Sequence, residues 1–260
     1  AGRARLPGIH GGPRTDVRSL LVAVPDRPGE LARVLATVAD AVTGGNAQPI
    51  TSQPLVEIDP KTRKRYVMFG TGQLLDTIDI NTSGSQTFYA FIDGTATAFG
   101  TSSGLPSGVS YPLTRANLTG ISVDDLISAT ALDFANKVGW YIDLGSTNSV
   151  AWRAVSNPTA YSGIVAFSSL LTTGNACSPS GQSRIYAVNF GSGKSALTPE
   201  GTLSYVSNSA AITDLKFLGV DSRVRLISGD VQGELRRVGV QTGAGTAVRL
   251  LNWREVPAID

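Results

Sequence analysis

Tyr66-Val67-Met68-Phe69-Gly70-Thr71-Gly72 is an apolar run that ends in small residues, and the chain repeats its pattern. The second version is Val165-Ala166-Phe167-Ser168-Ser169 and the third is Arg225-Leu226-Ile227-Ser228-Gly229. Each is followed by a further run: Thr87-Phe88-Tyr89-Ala90-Phe91, Arg184-Ile185-Tyr186-Ala187-Val188 and Glu234-Leu235-Arg236-Arg237-Val238. These lead into turns at Asp93-Gly94, Gly191-Ser192-Gly193 and Gln241-Thr242-Gly243. Short runs rich in β-branched and aromatic residues, bounded by Gly, Ser and Asp, read as strands. Tyr89, Tyr186 and Arg236 hold equivalent places about 100 and then about 50 residues apart. A propeller blade takes ~40–50 residues, and insertions lengthen it.

Outward from these runs the strands group in fours. The first group is Pro54–Ile58, Tyr66–Gly70, Thr87–Asp93 and Trp140–Leu144. The second is Val150–Ser156, Ile164–Leu170, Arg184–Phe190 and Leu203–Val206, with Thr172–Ser183 as a loop. The third is Ile212–Leu218, Val224–Ser228, Glu234–Val240 and Val248–Val256. The largest insertion, Gly94–Lys137, opens on the Gly/Ser/Thr stretch Gly94–Gly108. It closes on an expected short helix, Ser122–Asn136, started by the capping-box pair Ser122 and Asp125. Leu105, Val109, Tyr111 and Leu113 in this insertion are expected to form a partner surface, because rigid scaffolds carry binding on loops.

The fold class expected is all-β: a partial β-propeller of about three four-stranded antiparallel blades over residues 44–260, with apolar and polar side chains alternating. Three blades do not close a ring, since propellers have about four to eight. The chain is therefore expected to be completed by upstream blades or by other chains. Its two outer sheet faces are expected to be bare and apolar, which would make the isolated chain associate.

Residues 1–43 read differently. Residues 1–15 are Gly, Pro and Arg-rich, as in a leader. Ser19–Val24, the turn Pro25-Asp26-Arg27-Pro28-Gly29 and the helical spacing of Leu31, Val34, Leu35 and Val38 make a short β-turn-α segment. Composition narrows the function. Of 260 residues only 16% are charged, and 29 Gly and 13 Pro argue against helix bundles and coiled coils. Net charge is +2, with ten basic and six acidic residues in 1–65. Basic clusters interleaved with aromatics are absent, so nucleic acid is not an expected partner. No apolar run reaches the ~18 residues of a membrane span. The lone Cys177 precludes an internal disulfide.

The motifs Gly45-Asn46-Ala47-Gln48-Pro49-Ile50-Thr51, Tyr66–Gly72, Asp79, Gln86–Asp93, Gly139-Trp140-Tyr141-Ile142-Asp143-Leu144 and Asn252-Trp253-Arg254-Glu255 carry a resemblance. In that order they resemble the C-terminal propeller of the PilY family, type IV pilus tip-associated and biogenesis proteins, over about residues 44–257. The resemblance implies an exported, non-enzymatic protein at the cell surface, pilus tip or outer membrane. It implies partners among minor pilins, other tip subunits and a host or surface receptor, and roles in pilus assembly, adhesion, twitching motility and surface sensing. The family's calcium loop lies upstream of these blades. No Asp-x-Asp-x-Asp-Gly run occurs here, so no cofactor is expected within this chain. Val17–Ala41 looks instead like the first β-α half of an ACT regulatory domain, which implies an amino-acid ligand, but the second half does not follow. Quinone-cofactor dehydrogenases share the blade pattern. Their chemistry needs a metal-held cofactor and an Asp base, and no dense acid cluster is present.

No residue stands out as catalytic. His10, the one histidine, sits in a Gly-rich stretch with no partner to orient it. Cys177 lacks a neighbouring cation to activate it. Asp76, Asp79 and Asn81 are the nearest approach to a calcium loop, but their spacing suits side chains that accept nearby backbone amides. Gly70-Thr71-Gly72 lacks the third glycine of a dinucleotide loop and reads as a strand-ending turn. Trp140, Trp152 and Trp253 are expected inter-blade core. Arg153 and Arg254 follow tryptophans but point to the opposite side of a strand, so no stacked pair is expected within each dipeptide.

Overall fold

The computed structural model describes residues 48–93, 105–106, 109, 113–128, 137–175, 178–199, 202–220 and 223–241. The expectations for 1–43, for a strand at Val248–Val256, for Tyr111 and for the helix beyond Ser128 lie outside these residues. The strands are β1 (Leu55–Ile58), β2 (Arg65–Gly70), β3 (Thr87–Ile92), β4 (Thr119–Ile121), β5 (Gly139–Asp143), β6 (Ser146–Thr147), β7 (Val150–Ala151), β8 (Thr159–Tyr161), β9 (Ile164–Asn175), β10 (Ser178–Asn189), β11 (Val206–Asn208), β12 (Ile212–Val220), β13 (Arg223–Asp230) and β14 (Leu235–Val238). They form three sheets in the orders β1-β2-β3-β5-β4, β11-β10-β9-β8 and β12-β13-β14, with β6-β7 as a separate hairpin. All pairings are antiparallel except β4 with β5.

The sheets stack face to face in chain order, as propeller blades do, and the side-chain pattern shows why. Tyr66, Met68, Phe88, Ala90 and Trp140 on one face of the first sheet pack against Val165, Phe167, Tyr186 and Val188 of the second. The intervening residues of the second sheet, Ile164, Ala166, Ile185 and Ala187, pack against Ile212, Leu215, Leu226 and Val238 of the third. The central strands of the first two sheets, β2, β3, β9 and β10, are thus buried on both faces along their apolar runs, which replace the expected alternation. Phe88 and Phe167 stack with centroids 3.7 Å apart and Phe167 and Tyr186 with 4.7 Å, forming an aromatic column across the first interface.

Neither outer face is the bare apolar surface expected from the sequence. Val67, Phe69, Tyr89 and Phe91 on the outer side of the first sheet are covered by Ile50, Leu113, Leu118 and Val138, with Leu105 and Val109 packed against them. Of the expected partner surface, Leu105, Val109 and Leu113 are therefore core cover, and Leu113 is fully buried. On the third sheet the register places Lys216, Ile227 and Arg237 in one row and Leu218 beside Arg225, a face carrying charge rather than continuous oil.

Four further differences have local causes. Val150–Ser156 is not the first strand of the second sheet. Ala154 N–H donates to Thr71 O of the first sheet while Arg153 exchanges backbone bonds with Leu170 of the second, so the segment bridges two sheets. Its place is taken by β8, joined to β9 through Ser162 and Gly163, both at positive φ (49° and 83°), as a two-residue hairpin requires. Thr172–Ser183 is not a loop: β9 and β10 stay paired to Asn175 and Ser178. A polar hairpin arm needs only backbone bonds to persist, and its side chains hide it from pattern reading. The strand expected at Leu203–Val206 begins at Val206. Finally, Ser122 Oγ accepts from Asp125 N–H and donates to the Asp125 carboxylate, which is not the full capping box, and the turn that follows is a 3-10 turn at Asp124–Ile127 rather than an α-helix.

Candidate functional site

The loop Gln73–Thr82 between β2 and β3 starts where Gly70 and Gly72 let the first sheet touch the bridge. A Cβ on Gly70 would lie 2.3 Å from that of Ala154, and Gly72 has φ +140°. This is the strand-ending turn expected. Asp76 caps the following 3-10 turn (Thr77–Asn81) through Thr77 N–H. Asp79 is buried and accepts from Leu75 N–H (2.9 Å), Asp76 N–H (3.1 Å) and Gln73 Nε2 (2.8 Å). A carboxylate saturated by N–H donors offers little to a cation, so Asp79, the buried member of the Asp76, Asp79 and Asn81 set, is occupied by the protein itself. Among the described residues, no three His, Cys, Asp or Glu side chains gather as metal ligands.

Arg153, on the bridge, is buried and enters this loop from behind. Its guanidinium donates to the carbonyls of Gln73 (3.3 Å), Asp79 and Thr82 (3.5 Å). Burial pulls its pKa below the usual arginine range, against the opposing pull of the Asp79 charge. Thr172 Oγ1 adds a bond to Ile80 O. So pinned, the loop holds Leu74, Leu75 and Ile78 outward at 40%, 72% and 72% exposure. Three large aliphatics on an immobilised tip form a small apolar knob.

A second feature opens where the edges of the first two sheets part: a cleft of about 480 Å³. One wall is Tyr141, Asp143 and Ser122–Asp124, and the other is Arg184 and Tyr205. Behind the first wall lies a closed polar network. Arg115 Nη2 donates to both oxygens of Asp143 (2.9 and 2.7 Å), and the guanidinium stacks on Tyr141 at 3.8 Å. Thr87 Oγ1 donates to Asp143 (2.6 Å) and accepts from Gln48 Nε2 (2.9 Å), and Tyr89 OH donates to Gln48 Oε1 (2.7 Å). Burial alone would weaken the Arg115 charge, but the bonds to Asp143 and Tyr141 outweigh it and its pKa is raised. Burial also raises the Tyr89 phenol, with Arg115 opposing.

The second wall is built otherwise. The Arg184 guanidinium lies between two rings, 4.0 Å from the Trp152 centroid and 4.4 Å from that of Tyr205. Trp152 and Trp140 are inter-blade core as expected, Trp140 Nε1 donating to Phe190 O at 2.8 Å. The indole of Trp152 is capped by an arginine from the next sheet and not by its neighbour Arg153. Sequence reading missed Arg115 and Arg184, whose ring partners are distant in the chain. His10, Cys177 and Trp253 lie outside the described residues.

The fold therefore defines a class: stacked antiparallel propeller blades with an inter-blade cleft and a pinned apolar loop. Within that class, the sequence is similar to a type IV pilus biogenesis factor PilY1 homolog from Xylella fastidiosa, 23% identical over 247 residues, 85% of this chain and 19% of that protein. The fold is similar to the crystal structure of the Pseudomonas aeruginosa PilY1 C-terminal domain, with TM-score 0.51 at 18% identity, covering 77% of this chain and 46% of that one. The chain thus spans about a fifth of the first and under half of the second. No protein-family model matches. The resemblance to the C-terminal propeller of the PilY family, first carried by motif order, is met in both sequence and fold.

Proposed function

We propose that this chain is the C-terminal blade region of an exported PilY-type protein. It acts in type IV pilus biogenesis, adhesion and surface sensing through protein contacts rather than catalysis. The observation that supports this is the similarity to a pilus biogenesis factor across 85% of the chain. Its partners are minor pilins or other pilus-tip subunits, and the apolar knob of Leu74, Leu75 and Ile78 is the surface suited to them. Exposed aliphatics held rigidly lose little entropy on docking, which favours a contact role.

The test is a pull-down of minor pilins from the native host with the protein carrying Leu74→Ser, Leu75→Ser and Ile78→Ser together. These side chains already face solvent, so the thermal midpoint stays within a few degrees while pilin recovery falls about tenfold. Unchanged recovery removes the knob from the reading. Normal piliation in a strain whose gene lacks residues 44–257 overturns the pilus role itself.

A further inference from the structure

We propose that the cleft between the first two sheets binds a peptide carboxylate, with Arg184 as its anchor. The proposal rests on the cleft alone and not on the pilus reading. Arginine on a central strand between blades is costly to order, yet the Arg184 guanidinium lies over both the Trp152 and the Tyr205 ring. Among the described residues no carboxylate pairs with it. The neighbouring acid, Asp143 on the opposite wall, is taken by Arg115 behind it. With two rings over it and one donor reaching the Tyr186 hydroxyl, the guanidinium still keeps further edge N–H groups, the kind that match a carboxylate.

The rest of the cleft selects among anions. Asp124 and Asp143 stand on the facing wall, where they oppose a multiply charged phosphate or a nucleic-acid backbone. A carboxylate flanked by peptide N–H groups gives those acids donors to accept. Tyr141 and Tyr205 flank the space with rings that suit an apolar stem. The volume, about 480 Å³, falls in the ~300–1,000 Å³ range of small-ligand sites. The carboxylate can belong to an acidic side chain or to a chain end, and the two sources share this chemistry.

The experiment follows the Trp152 indole N–H and the Tyr205 ring by NMR during titration of the 260-residue protein. The probes are acetyl-Gly-Asp-Gly-amide and its Asn counterpart for the side-chain source, and Gly-Gly-Gly with free or amidated end for the chain-end source. Saturable shifts with one carboxylate probe, absent with its amide, are expected and identify the source. Arg184→Gln abolishes them, and Arg184→Lys, which keeps the charge but loses the fork, weakens binding about tenfold. Should either variant fold poorly, excess succinate is expected to reverse the shifts in the unsubstituted protein. The proposal is overturned by equal shifts with acid and amide, by saturation that survives Arg184→Gln or excess succinate, or by no shift with any probe.

Discussion

A guanidinium taken out of water must be met by acceptors on all its donor edges, or it costs several kcal/mol. Arg153 meets that demand with main-chain carbonyls at both ends of the loop, Gln73 before its 3-10 turn and Asp79 and Thr82 at the turn's end. These carbonyls carry the negative end of the local backbone dipoles, and the buried Asp79 charge adds to them. The dependence is mutual, because Gln73, Asp79 and Thr82 have Arg153 as the donor that reaches all three carbonyls. Arg153→Met fills the volume but leaves the Gln73 carbonyl without this donor, while Asp79 O keeps Thr82 and Thr82 O keeps the Ala151 N–H, at ~1–3 kcal/mol for a group that stays dry. Relief of the desolvated charge offsets part of this, so a net loss of about 1–2 kcal/mol is expected in urea unfolding. Amide exchange at Leu75 and Asp79 should also accelerate more than exchange in β9. An unchanged midpoint would show that the loop is held by Asp79 and Thr172 without the arginine.

At the scale of single elements, strand contact is set by where side chains are missing. Gly139 pairs with Phe91, and a Cβ there would sit 2.1 Å from Ala90 O and 2.6 Å from Phe91 Cα. Both obstacles are backbone, so Gly139→Ala forces β5 away from β3 and with it the Asp143 end of the polar network. The expected cost is at least ~3 kcal/mol, the upper range of overpacking, with weakened protection of the β3–β5 amides in hydrogen exchange. Stability within ~0.5 kcal/mol of the unsubstituted protein would show that this pairing is not close. Elements of this kind were legible where one segment serves one sheet. The runs at Tyr66, Thr87, Ile164, Arg184 and Ile212 became β2, β3, β9, β10 and β12 because apolar content and Gly/Ser turns agree there. Val150–Ser156 misled because Val150, Trp152 and Ala154 alternate like a strand while the backbone is shared between two sheets. The hairpin signal Ser162-Gly163 was present in the sequence and marks β8. The cleft was not legible, since Arg184, Trp152 and Tyr205 meet only after two sheets have stacked.

Over the whole molecule the second sheet is the shared member of both large cores. Val165, Phe167, Tyr186 and Val188 serve the interface with the first sheet, and Ile164, Ala166, Ile185 and Ala187 serve the interface with the third. Burying one such large side chain is worth ~1.5–3 kcal/mol, so neither interface can open without exposing several of them. Among the described residues the third sheet packs one face on the second and turns Lys216 and Arg237 away from it, and the Leu235 side chain on its edge strand is 80% exposed. Local opening should therefore begin there, and the twelve-residue β9 and β10 should yield last. Native-state hydrogen exchange under rising urea tests this directly. Amides of Val165–Phe167 and Ile185–Val188 are expected to exchange only through global unfolding, with a free energy equal to that from the urea transition. Amides of β14 should exchange through a smaller opening, at least ~2 kcal/mol lower and with a weaker urea dependence. If β14 proves as protected as β9, the third sheet is as tightly bound as the second, and the charged outer face does not mark a weak end of the stack.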